Sequence, residues 1–191
     1  MAFYVFACIS QGFTVVSVLL LIALTLFWIG DILLIYDWER ASFYFGIFTF
    51  LIAQCLLITI SIMFFQYFSF PIIVALILAI AYCIILYLKL LFLHRPFAFI
   101  GLRICASAYL ISTTVLSYLL VCFAIANPNL YSILMAVAGV FFMFSDYHVI
   151  QEYYISGNKL SRFIIMLGYL VGISLIVIAC VAFEPLLLSK F

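Results

Sequence analysis

The sequence predicts an all-helical, polytopic transmembrane bundle of about six spans, and three observations carry that prediction. Of 191 residues, 72% are hydrophobic and 7% are charged, whereas a soluble domain carries about 25% charge on its wetted surface. The apolar residues fall into runs of roughly 20, the length at which a helix crosses the hydrocarbon of a bilayer. Prolines and charged residues cluster between those runs or near their ends. A net charge of +1 gives no basis for a nucleic-acid partner. A cleavable leader is not expected, because the first apolar run is too long and lacks a basic start.

The runs place spans near residues 13–36, 42–65, 71–93, 104–126, 130–150 and 163–185, all within one domain covering 1–191. Pro71 is suited to open the third span, since its missing N–H is an orphan in the first turn anyway. Pro96 and Pro128 fall in connections, and Pro185 is expected to end the last span. Residues 1–12 are apolar but too short to cross alone. They are expected to extend the first helix or lie at the interface as a partial seventh segment. The connections are short, and neither a repeat nor a low-complexity tract is evident.

With six spans, Arg40, Lys89, Arg95, Arg103, Lys159 and Arg162 share one membrane face, and only Lys190 falls at the other. The positive-inside rule makes the richer face cytoplasmic and puts both termini outside. The expected location is a bacterial cytoplasmic membrane. The six cysteines form no Cys-x-x-Cys pair and lie in apolar runs, which reads as small buried hydrophobes rather than zinc ligands or disulfides.

Against this background Asp31 and Asp146 stand out. An ionised carboxylate in hydrocarbon costs several kcal/mol at least, so an intramembrane acid is a functional candidate by default. Counted along the predicted spans, Asp31 lies about one and a half turns, and Asp146 about one turn, from the same face. Tyr109 and Tyr169 enter that layer from spans four and six, with Arg103, Ser145 and His148. The opposite half holds little that ionises beyond Glu184 at its rim.

Several of these residues have a plainer reading. Arg103 suits a lipid phosphate by bidentate bonding, and equally suits snorkelling from a helix end. Ser145, His148 and Glu152 follow one another down a helix face, but adjacent turns of one helix do not readily give nucleophile–base geometry. His148 is therefore expected at headgroup level, and Ser145 is expected to bond a carbonyl one turn back. Gly168-x3-Gly172 allows close helix packing. The aromatic residues, 19% of the chain, read as core and lipid-facing filling.

The polar residues sit in a recurrent frame. Gly30-Asp31-Ile32-Leu33-Leu34, Phe43-Tyr44-Phe45-Gly46 with Phe50, Leu102-Arg103 with Tyr109, and Gly139 through Ser145-Asp146 with the later Tyr169 together resemble the YhhN family, the bacterial and animal lysoplasmalogenases. The resemblance extends from about Phe27 to Ile176. It implies a multi-pass enzyme that cleaves the vinyl ether bond of a lysophospholipid, releasing a fatty aldehyde and a glycerophospho-alcohol, with no metal or organic cofactor. Asp31 and Asp146 would be the catalytic acid and base, in either assignment. Arg103, Tyr109, Ser145, Tyr169 and Gln54 would line the substrate site. The chain differs from the family's pattern at Gln54, where a histidine is expected, at Ile173, where a glutamine often stands, and in a shortened first helix.

Paired carboxylates suit such chemistry, because unlike surroundings let one act as acid and the other as base. Two other readings compete with hydrolysis. One is a lipid-binding protein without activity. The other is a carrier of protons or small solutes, which fits less well because the outer half lacks polar groups.

Overall fold

The structure, a computed structural model, describes residues 14–36, 40–65, 72–93, 100–155 and 159–188. They form six helices: α1 (Val15–Tyr36), α2 (Arg40–Phe65), α3 (Ile72–Leu93), α4 (Ile100–Ala126), α5 (Leu130–Ile155) and α6 (Lys159–Leu188). Each contains an apolar stretch long enough to cross a membrane. Connections this short force consecutive membrane-length helices to run in opposite directions. The segment 1–12, with Cys8, and the residues Pro71, Arg95, Pro96 and Lys190 lie outside the described residues.

Local chemistry starts and maintains these helices. At α1, the Ser17 amide donates to Thr14 Oγ1 at 3.1 Å while the Thr14 amide donates to Ser17 Oγ at 2.7 Å. At α5, the Ser132 amide donates to Asn129 Oδ1 at 2.8 Å and the Asn129 amide to Ser132 Oγ at 3.1 Å. Both are reciprocal caps that satisfy orphan first-turn donors. Within the spans, Thr25, Thr59, Ser61 and Thr114 donate to Leu21, Cys55, Leu57 and Leu110 carbonyls of their own helices. Lipid therefore meets none of these hydroxyls unsatisfied.

The helix ends differ from the expected spans. α4 begins at Ile100, α5 continues to Ile155, and α6 runs from Lys159 through Pro185 to Leu188. Hydropathy reports where lipid contact ends, not where the backbone ladder stops, so polar turns extend the helices beyond the apolar runs. Pro185 does not terminate α6. Lying in the last turn, it removes one ladder bond and leaves almost no helix beyond it to break.

The α5–α6 and α1–α2 hairpins pack most extensively, α4 bridges them through α5 and α2, and α3 rests chiefly on α4. The buried core draws on every helix except α3: Leu20 and Phe27 of α1, Phe50 of α2, Leu110 of α4, Phe142 of α5, Ala179 of α6. None of the α3 span is buried, whereas 56% of the α4 span is. Two glycines permit the closest approaches. A Cβ on Gly30 would lie 2.7 Å from the Phe50 ring and 2.9 Å from Thr49 Oγ1. One on Gly139 would lie 3.0 Å from the Ser117 Cα, a backbone atom that cannot rotate away.

Gly30→Ala is expected to destabilise the protein by about 1–3 kcal/mol, because Phe50 is buried and its ring has no empty space to enter. At Gly168 a Cβ would meet nothing closer than 3.6 Å, so Gly168→Ala should leave stability nearly unchanged. Thermal unfolding of the detergent-solubilised variants measures both, and equal melting temperatures would contradict the packing described.

Candidate functional site

Helix periodicity places Tyr109, Ser112 and Thr113 on one face of α4. α2 presents Gln54 from mid-helix to that face, and α5 brings Asp146. Gln54 Nε2 donates to Asp146 Oδ2 at 2.7 Å, and Thr113 Oγ1 donates to the same oxygen at 2.7 Å. Gln54 Nε2 also donates to Thr113 Oγ1 at 2.6 Å. The Ser112 hydroxyl bonds the Gln54 side-chain carbonyl and lies 2.8 Å from the Tyr109 backbone carbonyl. The Tyr109 side chain is buried beside Asp146. Asp146 is 2% exposed, and Gln54 and Thr113 are wholly buried. Three helices thus supply a dry, amide-and-hydroxyl cradle for one carboxylate.

Asp31 has a different setting. It is partly accessible, and the Tyr169 hydroxyl of α6 donates to its Oδ2 at 3.1 Å. Phe27, Phe50 and Phe142 form an aromatic cluster around Tyr169. The Phe50 ring lies 5.7 Å from that of Tyr169 and 6.3 Å from that of Tyr109. Phe27 and Phe142 stack at 5.7 Å and both meet Tyr169 edge-on. Each tyrosine hydroxyl feels the charge of both carboxylates. The acids, 115 positions apart in the chain, therefore adjoin one aromatic cluster, in which the Tyr109 and Tyr169 rings both pack on Phe50.

Their depths are less alike along the helices than the predicted spans suggest. α5 continues nine residues beyond Asp146, while α1 continues five beyond Asp31. Measured to the ends of the apolar stretches, Leu33 and Val149, the two acids lie within one turn alike.

The other anticipated residues separate. Gln54 and Tyr109 join the Asp146 cradle, and Tyr169 joins Asp31. Ser145 does not bond one turn back on its own helix. Its hydroxyl donates to the Ile165 carbonyl of α6 at 2.9 Å. His148 packs its ring 4.5 Å from Phe144 and 5.6 Å from Tyr147, so Ser145 and His148 form no nucleophile–base pair. Arg103 lies six residues before Tyr109, nearer the membrane face, with its Nε buried. Ile173 packs against the core.

Ser112 and Thr113 are functional neighbours that hydropathy does not reveal. The only trace is the polar triplet Ser112-Thr113-Thr114 in mid-span. Among the described residues no three His, Cys, Asp or Glu side chains gather as a metal would need.

Six apolar helices around a buried carboxylate–tyrosine centre define a polytopic helical membrane protein with an intramembrane polar site. The chain belongs to the YhhN family, whose pattern it matches over residues 1–180. No curated protein and no solved structure matches it.

Thr113→Val should cost about 1–3 kcal/mol, because it removes a donor from a buried carboxylate and an acceptor from a buried amide. Thr114→Val, one residue on, loses a hydroxyl bonded only to its own helix at Leu110 and should cost well under half as much. Chemical or thermal unfolding in detergent distinguishes the two neighbours.

Proposed function

We propose that this protein is a membrane-embedded lysolipid hydrolase that cleaves the vinyl ether bond of lysoplasmalogens. Membership of the YhhN family supports the reading. The observation that carries it is the pair of intramembrane carboxylates beside one aromatic cluster, differing in access and hydrogen bonding.

Vinyl ether hydrolysis begins with transfer of a proton to the enol-ether carbon remote from oxygen, which leaves an oxocarbenium ion. Water then adds to the cationic carbon and gives up a proton, and the hemiacetal collapses to aldehyde and alcohol. Asp31, the accessible acid, gives the first proton and its carboxylate then receives one from the attacking water. One group thereby serves as acid and base in turn. Tyr169 orients it through the bond to Oδ2. Asp146 stays out of contact with water and supplies fixed negative charge to stabilise the cation, an electrostatic role suited to a preorganised, dry position.

Arg103, on the same side of the bundle, is the candidate partner for the lipid phosphate. The alkenyl chain lies between helices. The positive-inside bias turns this face to the cytoplasm, in a bacterial cytoplasmic membrane with both termini outside.

A second reading, lipid binding without catalysis, draws on Gln54. Its amide engages Asp146 where the family's pattern supplies a histidine able to transfer protons.

The test is incubation of the purified protein with a vinyl ether lysolipid and with its ester analogue, followed by assays for aldehyde and fatty acid. Aldehyde from the vinyl ether alone is expected. Asp31→Asn should lower its release by about 100-fold or more, and Tyr169→Phe by a smaller factor. Lipid binding without aldehyde would establish the second reading, and an Asp31→Asn variant as active as wild type would overturn the mechanism.

A further inference from the structure

Lys89 is the residue that neither the fold nor the mechanism above explains. It lies on α3, where Ile84, Tyr87 and Leu88 are exposed. It is the next-to-last residue of the α3 apolar stretch, which ends at Leu90. A lysine so close to a helix end can reach water by snorkelling. Instead its side chain is part-buried and turns inward, donating from Nζ to the Met143 backbone carbonyl of α5 at 3.1 Å. Nζ also sits 5.5 Å from the centre of the Tyr147 ring, within the range at which an ammonium is attracted to an aromatic face.

Met143 and Tyr147 flank Asp146 on α5, three residues before it and one after. The ammonium is thus anchored against the stretch of helix that carries the buried acid, and its charge acts on that acid. Among the described residues, the other groups facing Asp146 are Gln54 of α2, Tyr109 and Thr113 of α4, and Tyr169 of α6. All of these are uncharged hydrogen-bonding side chains. Lys89 is the cation that α3 contributes to this centre.

We propose that Lys89 is a positioning residue for Asp146: held by the Met143 carbonyl and the Tyr147 ring, it is the counter-ion that keeps the buried carboxylate ionised. The charge pairing stands independently of the hydrolase reading. Its consequence for catalysis rests on that reading, because only an ionised Asp146 can stabilise an oxocarbenium ion. A lysine serving merely as a helix tether would need its hydrogen bond and its packing, but not its charge.

The test uses the full chain in lipid nanodiscs with 13C-carboxyl-labelled aspartate, read by infrared spectroscopy at neutral pH. Asp146→Asn and Asp31→Asn assign the two intramembrane signals. Wild type and Lys89→Arg are expected to show Asp146 as carboxylate. Lys89→Met, and Lys89→Gln, which retains a donor for the Met143 carbonyl, are expected to show it as the protonated acid. An unchanged Asp146 signal in Lys89→Gln, or a protonated Asp146 in wild type, would overturn the proposal.

Thermal unfolding covers the case in which Lys89→Met folds poorly. The double variant Lys89→Met/Asp146→Asn should then be more stable than Lys89→Met alone, because it removes the charge left without a counter-ion. Additive losses would count against the pairing. Where aldehyde release is measurable, Lys89→Gln should lower kcat tenfold or more with little change in KM, and Lys89→Arg should recover most of it. If the protein releases no aldehyde, the infrared result still decides the pairing, so failure of the hydrolase reading and failure of this one remain distinct.

Discussion

A carboxylate without water dictates how this bundle is assembled. Asp146 is 2% exposed, and taking such a group out of water costs several kcal/mol unless donors replace its hydration. No single helix can provide them, because each backbone N–H in a helix interior is already committed to its own ladder. The donors must be side chains of other helices, and they are Gln54 from α2 and Thr113 from α4, both at 2.7 Å. Contacts of that length do not survive a slide of one helix past another by even part of a turn. The acid therefore sets the register of α2, α4 and α5 more strictly than their apolar surfaces do. Lipid tails are as apolar as leucine and offer no preference among apolar registers. The glycines follow from the same demand, since Gly139 lets α5 approach within contact of the Ser117 backbone of α4.

Once that register is set, the aromatic residues make two chemically identical acids unlike. Phe27, Phe50 and Phe142 pack around Tyr169, the donor to Asp31, and Phe50 also meets Tyr109. Asp31 keeps a single tyrosine donor and partial access, while Asp146 is enclosed by amide and hydroxyl groups. Division of labour between acids needs such asymmetry, because two carboxylates in equivalent settings would compete for one role.

Run length and charge placement make the six helices readable from sequence, because a bilayer imposes one length on every span and penalises every interior charge. Asp31 and Asp146 are conspicuous for the same reason. The helix ends are not readable in this way: α5 and α6 continue as polar turns past the point where hydropathy falls, and Pro185 sits too near a terminus to act as a breaker. The partners of Asp146 are hidden more deeply. Thr113 looks like Thr114 beside it, yet one hydroxyl reaches across to α5 and the other returns to Leu110 of its own helix. Only rotation of α4 about its axis separates them, and hydropathy carries no phase information when every face is apolar. Ser145 misleads in the opposite sense. Back-bonding within a helix is the ordinary habit of a transmembrane serine, but here the Ile165 carbonyl of α6 lies within its reach.

The position of α3 extends this logic to a helix with no buried span. In water, the apolar face of α3 would drive its association, but in lipid that force is absent and polar contacts gain weight. The contacts are few and specific. Tyr82 and Ser117 hydroxyls lie 3.0 Å apart, the Tyr118 hydroxyl donates to the Ala75 carbonyl at 3.1 Å, and Lys89 reaches the Met143 carbonyl. The first two hold α3 to α4 through its middle and its beginning. The third joins it to α5 at the end where the polar chemistry lies. A peripheral helix fastened by three polar points is held most firmly where those points are, so the position of its last turns depends on the same ammonium that faces the buried acid. Docking of α3 and the charge beside the buried acid thus meet in one side chain.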